Sequence, residues 1–134
     1  RILRTMFFPP FRAAVERGNA QAVMPSYNEI DGVPSHVNRW LLQDVLRGEM
    51  GFKGVVVSDY FAIKELMEVH HTTTDPLGAP VRAFKAGVDI DMPDGESYAL
   101  YERQFGSFSR ARVRSRPRNA SALGASRPTV DRRS

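Results

Sequence analysis

Three short apolar runs punctuate the chain at even spacing: Ala22-Val23-Met24, Gly54-Val55-Val56-Val57 and Gly87-Val88-Asp89-Ile90. Val23, Val56 and Asp89 are each 33 residues apart, the length of one strand-plus-helix unit. Runs rich in β-branched residues and bounded by glycine and polar residues predict strands, and Val55–Val57 reads as one buried on both faces. Between these runs apolar positions recur at helical spacing. Pro9-Pro10 opens a helix with Phe11, Ala14 and Val15 on one face, closed by Gly18. Asn38 precedes Trp40, Leu41, Leu42, Val45 and Leu46, an amphipathic helix closed by Gly48 and Gly51. Ile63, Leu66, Met67 and Val69 mark a third helical face. After a His/Thr-rich loop ending at Pro76, a fourth follows with Val81, Ala83, Phe84 and Ala86, ended by Gly87.

The resulting order, α-β-α-β-α-β, predicts a parallel sheet with right-handed crossovers. Three strands cannot close a barrel, which takes ~250 residues. Left open, they would expose two edges and a large apolar face. The expected fold class is therefore α/β: a partial (β/α)8 barrel of about three βα units over residues 1–102, cut from a larger domain. The chain begins with Arg1, so its true N-terminus is expected to lie further upstream.

Charge changes the picture only near the C-terminus. The net charge of +4 hides an uneven distribution: residues 1–102 carry 10 basic and 14 acidic side chains, residues 103–134 nine Arg and one Asp. The main body thus has no basic excess with which to hold a nucleic acid. Residues 103–134 also hold six Ser and lose all hydrophobic periodicity. They are expected to be an unstructured tail, or an aberrant one of the kind a shifted reading frame in GC-rich DNA produces. An RNA- or membrane-binding arm is the alternative, weakened because only Phe105 and Phe108 offer rings for base stacking. The chain has no cysteine, which excludes disulfides and thiolate metal sites and leaves the compartment open. No apolar run approaches the roughly 18–20 residues of a membrane span. No signal peptide is visible, since Arg1–Pro10 lacks a long apolar core. Neither nucleic acid nor membrane is expected as a partner.

The chemistry-bearing position is Asp59, directly after Val55-Val56-Val57-Ser58 and before Tyr60. In parallel α/β folds the C-terminal strand ends line the mouth of the site. A carboxylate there is a candidate nucleophile or base; the competing explanation is a helix N-cap. Asp89, Asp91, Asp94 and Gly95 depart from calcium-loop spacing, with the third Asp at position 6 and Pro93 between. His70-His71 are adjacent, so their side chains diverge, and they predict no zinc site. No metal is assigned. His36 reads as a structural hydrogen-bonder in a loop bordering the site, and Glu29 and Asp31 as solvated turn carboxylates.

Five segments then resemble glycoside hydrolase family 3 in order and spacing: Met24-Pro25-Ser26-Tyr27-Asn28, Asp31-Gly32-Val33-Pro34, Leu41 to Arg47, Gly51 to Tyr60, and Ala86 to Pro93. The likeness runs from about Phe8 to Tyr98. This family holds β-glucosidases, β-xylosidases and related exo-glucanases, built on a (β/α)8-type barrel. The resemblance implies that the chain supplies the region near strands six to eight. It makes Asp59 the nucleophile of a retaining mechanism acting on terminal β-linked sugars of oligosaccharides or aryl and alkyl β-glycosides. It sets Tyr27 beside that nucleophile, and Tyr60 where many members carry Trp, beside the +1 sugar. Ser58-Asp59-Tyr60 is similar to the glucosidase/xylosidase branch rather than to the N-acetylhexosaminidases. Asp91 is expected to face the barrel mouth and touch sugar hydroxyls. No cofactor is implied. The family's Lys-His pair, Arg and sugar-gripping Asp lie upstream of the segments found here. Its general acid is usually a Glu in a following domain, so turnover by this chain alone is not expected.

Overall fold

The computed structural model describes residues 1–106. A wide-wound helical turn, Leu3–Phe7, leads into helix α1 (Phe8–Glu16), with proline in its first turn where a missing N–H costs nothing. Strand β1 (Ala22–Val23) follows, then a hairpin of β2 (Glu29–Ile30) and β3 (Val33–Pro34). Asp31 and Gly32 turn this hairpin with φ of 50° and 75°. Positive φ at both central positions is the mirror-image turn whose twist matches paired strands, and Asp-Gly tolerates it best. A 3₁₀ turn, Ser35–Val37, joins the hairpin to a wide, π-wound helix, Trp40–Glu49. Strand β4 (Val55–Val56), α2 (Ala62–Glu68), α3 (Gly78–Ala86) and α4 (Glu96–Phe105) complete the order.

β1 pairs with β4 in parallel, Ala22 opposite Val55 and Val23 opposite Val56. Val57 bridges Ile90, again in parallel. The three apolar runs thus lie side by side in parallel, as their alternation with helices predicts, and the second lies in the middle. They are shorter than expected. Gly87 has φ +117° and ends α3, and the Val88 N–H still bonds back to Ala83, so the run meets the sheet only at Asp89 and Ile90, whose N–H groups both donate to the Val56 carbonyl.

Burial on the central strand is one-sided. Val56 is fully buried among Leu42, Val45, Leu46, Phe52, Ile63, Leu66, Ala83 and Val88, whereas Val55 and Ile90 are each 41 % exposed. The expectation of a strand buried on both faces fails because helices cover only one face among the described residues. One helix end also shifts. Gly48 lies inside the π-wound helix, whose end comes at Met50, followed by Gly51 in the left-handed region. Asn38 does start that helix, its side-chain oxygen accepting the Leu41 N–H at 3.0 Å.

The boundary set at 102/103 falls inside α4. Its last turn carries Phe105, whose ring lies 5.1 Å from that of fully buried Tyr101. Packing against Tyr101, Val81, Leu77 and Phe84 orders this turn although its local composition is polar. The expected unstructured tail otherwise falls on residues 107–134, outside the described residues. Among the described residues no helix is long and apolar enough to cross a membrane.

An unexpected brace holds the central strand. Asp89 Oδ2 accepts the Val56 N–H and an Arg47 guanidinium N–H, both at 2.8 Å. Arg47 also donates to the Gly54 carbonyl and lies over the Phe52 ring. A charged acceptor on a strand N–H is worth more than a neutral one. Asp89→Ala is therefore expected to lower unfolding stability by about 2–3 kcal/mol, read as a reduced urea midpoint. An unchanged midpoint would show the brace to be idle.

Candidate active site

β4 delivers Asp59 to the C-terminal edge of the parallel sheet. Ser58, fully buried, precedes it and is held twice: its N–H donates to the Ile90 carbonyl and its Oγ accepts the Met92 N–H, both at 2.8 Å. Asp59 itself is half-buried. Its Oδ1 accepts the N–H of Tyr60 at 2.8 Å and its carbonyl accepts the Ala62 N–H. The N-cap explanation does not hold. α2 begins after Phe61 in the left-handed conformation, φ +58°, with no side-chain cap. A bulky residue at positive φ is strained. The Phe61 N–H, bonded to the Met92 carbonyl at 3.0 Å, helps to hold it there.

Tyr27 comes to this edge from the loop after β1. Its hydroxyl donates to the Tyr60 carbonyl at 2.7 Å. Loss of solvent, then the hydrogen-bonding and charge of the Asp59 carboxylate and the charge of Glu65, raise its pKa above the ordinary phenol value. Tyr27 and Asp59 are therefore close, while the firm hydrogen bond of the hydroxyl goes to the backbone. Tyr60 presents a ring 54 % exposed beside them. Asp59, Tyr27 and Tyr60 thus meet at one sheet edge although Tyr27 and Tyr60 are 33 residues apart.

Asp91 takes a different place from the one expected. It is buried, and its Oδ2 accepts the N–H groups of Ser97 and Tyr98 at 2.8 and 3.2 Å. Those are orphan donors in the first turn of α4, so the carboxylate caps a helix. Burial raises its pKa, against the lowering effect of these hydrogen bonds.

The residue that sequence reading undervalued is His36. It is 2 % exposed, and its Nε2 accepts the Asp59 backbone N–H at 3.1 Å. Its ring lies 6.4 Å from that of Tyr27. Burial pushes the imidazole pKa down to about 4, helped by His70 and opposed by the Asp59 charge. A loop position between Pro34 and Asn38 signalled a hydrogen-bonder, but nothing local identified the partner. Glu29, expected to be solvated, pairs with His70 Nδ1 at 2.8 Å and ties the hairpin to the end of α2. Among the described residues no three His, Asp or Glu side chains are grouped to hold a metal.

The depressed His36 pKa has a signed consequence. Between its ordinary value of 6.5 and about 4, the unfolded chain binds a proton that the folded chain refuses. Stability is then lost as pH falls through that window, by roughly 3 kcal/mol at the bottom of it, and does not depend on His36 above it. Asp91 works oppositely, since burial raises its carboxyl pKa above the ordinary carboxylate value. Urea midpoints should thus fall from pH 7 to pH 4.5, and His36→Gln should flatten that slope. An equal slope in both proteins would refute it.

Comparison with known proteins shows the family to which this chain belongs. The profile of the glycosyl hydrolase family 3 N-terminal domain matches residues 1–116. A β-xylosidase of Formosa agariphila is 41% identical over 100 residues, 75% of this chain and 14% of that protein. An exo-α-(1→6)-L-arabinopyranosidase of Bifidobacterium breve is 50% identical over 93 residues, 69% of this chain and 10% of that protein. The crystal structure of a β-glucosidase from Listeria innocua in complex with glucose superposes with a TM-score of 0.74 at 36% identity, over 84% of this chain and 16% of that one. The chain therefore spans a small part of the length of its relatives. It belongs to glycosyl hydrolase family 3, within the N-terminal domain of that family.

Proposed function

We propose that this chain is the nucleophile-bearing part of a retaining, exo-acting β-glycosidase of the glucosidase/xylosidase type. The observation that carries it is Asp59, standing at the C-terminal end of the central parallel strand with its backbone pinned and two tyrosines beside it. In this mechanism the Asp59 carboxylate attacks the anomeric carbon of a terminal sugar. A protonated carboxyl about 5–5.5 Å away releases the aglycone, and water then hydrolyses the glycosyl-aspartate ester. Tyr60 offers a flat apolar face to the sugar on the leaving side. The acid belongs to the remainder of such an enzyme, as the family resemblance implies. No residue of this chain is assigned to it.

The same proposal gives the open sheet a meaning. Met24, Val55 and Ile90 are exposed apolar residues of the parallel segments and their flanks. In a closed (β/α)8 barrel such positions fill the interior. A partial barrel accounts for their exposure, and for a sheet with helices on one face.

The direct test is covalent labelling. Residues 1–106 are grafted in place of the matching stretch of a family 3 β-glucosidase, which supplies a whole barrel and the acid. The chimera is then treated with an activated 2-deoxy-2-fluoro-β-glucoside or β-xyloside. Mass analysis should find one sugar adduct on the peptide holding Asp59. An adduct on Glu29, Glu65 or Asp91, or turnover with no adduct, would overturn the assignment. Sugar binding without turnover would favour a catalytically dead carbohydrate-binding remnant.

A further inference from the structure

Within that reading, Asp59 is only as well placed as the turn that carries it, and one side of the turn rests on a single buried side chain. His36 and Asp59 are 23 residues apart, yet the Asp59 N–H points at His36 Nε2 across 3.1 Å. The imidazole cannot drift. Ser35 before it is 1 % exposed and both its N–H and its hydroxyl donate to the Asn28 carbonyl, at 3.3 and 2.7 Å. Asn38 after it starts the π-wound helix. Its turn packs on α2 and α3, and His36 is buried there.

We propose that His36 is a positioning residue for Asp59, its Nε2 holding the Asp59 backbone N–H and so fixing where the carboxylate stands relative to Tyr27 and Tyr60. The proposal rests on reading Asp59 as the reacting carboxylate. A nitrogen that accepts from a backbone N–H has no proton of its own, so the neutral ring must carry its hydrogen on Nδ1. Protonation of Nε2 would set two donors against each other and push the Asp59 turn away. The charges acting on the ring are Asp59, from the end of β4, and His70, from the loop after α2; the Tyr27 ring faces it from the loop after β1. From α3, Arg82 and Lys85 line the groove beside Val37. The depressed pKa agrees with this arrangement, because the ring stays neutral at the pH where glycosides would be hydrolysed.

The test uses the full 134-residue chain labelled with ¹⁵N. Long-range ¹H–¹⁵N spectra at pH 7 should show His36 as the Nδ1–H tautomer with Nε2 as a hydrogen-bond acceptor. On acidification the Asp59 amide signal should move together with the His36 ring signals. Exchange of the Asp59 amide with deuterium should quicken about tenfold in His36→Phe, which keeps a ring but loses the acceptor. It should return to within about threefold of the parent in His36→Gln, whose side-chain oxygen replaces Nε2. A role in packing alone would not separate the two variants in this way. An Nε2–H tautomer, or an Asp59 amide equally protected in both variants, overturns the proposal. If His36→Phe does not fold, the tautomer and the joint titration of the parent still decide it. Failure here is distinct from failure of the nucleophile assignment, which is read by the site of sugar labelling and not by the state of the imidazole.

Discussion

Asp59→Asn in the grafted barrel is expected to lower turnover of an aryl β-glucoside or β-xyloside by roughly 10³-fold or more, because covalent catalysis is lost when its nucleophile becomes a neutral amide. The change is nearly isosteric, so its effect separates charge from shape. The Asp59 Oδ1 that receives the Tyr60 N–H becomes an amide oxygen that accepts equally well. The turn should therefore keep its form, and stability should move by less than about 1 kcal/mol. The sugar adduct should vanish with the activity. Asp91→Asn is the internal control. Its oxygen still caps α4, so activity should fall only through a modest loss of stability. Near-parent turnover in Asp59→Asn, or a comparable collapse in Asp91→Asn, would transfer the nucleophile role elsewhere.

The largest expected effect on folding comes from a methyl group. A Cβ on Gly54 would lie on the Gln21 carbonyl oxygen, with the Gln21 carbonyl carbon at 2.7 Å and the Phe52 ring edge at 2.8 Å. That same Gln21 oxygen accepts the Val55 N–H, the first hydrogen bond joining β1 to β4. Backbone on both sides cannot yield as a flexible side chain would. Gly54→Ala should thus cost roughly 3 kcal/mol or more and part the two strands. Gly51→Ala gives the contrast. Gly51 sits at φ +72° with nothing near its Cβ position, so its cost should be only about 1 kcal/mol of backbone strain. Urea midpoints of the two variants measure the difference. Equal midpoints would show that β1 and β4 do not pack as closely as described.

The amino-acid order by itself determined the parts whose cause is local. Runs of β-branched residues favour extended backbone wherever they occur, and their alternation with helices already implied three parallel segments, whose order the pairing then fixed. Helical periodicity marked which faces of Trp40–Glu49, Ala62–Glu68 and Gly78–Ala86 would meet the core, and Leu42, Val45, Leu46, Ile63, Leu66 and Ala83 are indeed buried there. The place of Asp59 at a strand end was legible for the same reason. The hairpin at Asp31-Gly32 was legible only as a turn, since β2 and β3 are two residues long and leave almost no alternating pattern.

Tertiary structure alone decided what each polar side chain is for. Asp89, Asp91 and Asp59 lie within 33 residues in one chain and carry the same carboxylate. One braces a strand through Arg47, one caps a helix, and one stands at the edge of the sheet beside two tyrosines. Composition and periodicity cannot separate these roles, because a carboxylate takes its function from the donors that reach it. The partners of these three residues arrive from 42, 6 and 23 residues away. For Asp59 the group that arrives is His36, an acceptor for its backbone, brought there only when the 3₁₀ turn packs on α2 and α3. The one-sided burial of the central strand was likewise beyond the sequence. A run of valines records a preference for burial, and the number of faces actually covered depends on which other elements lie against the sheet.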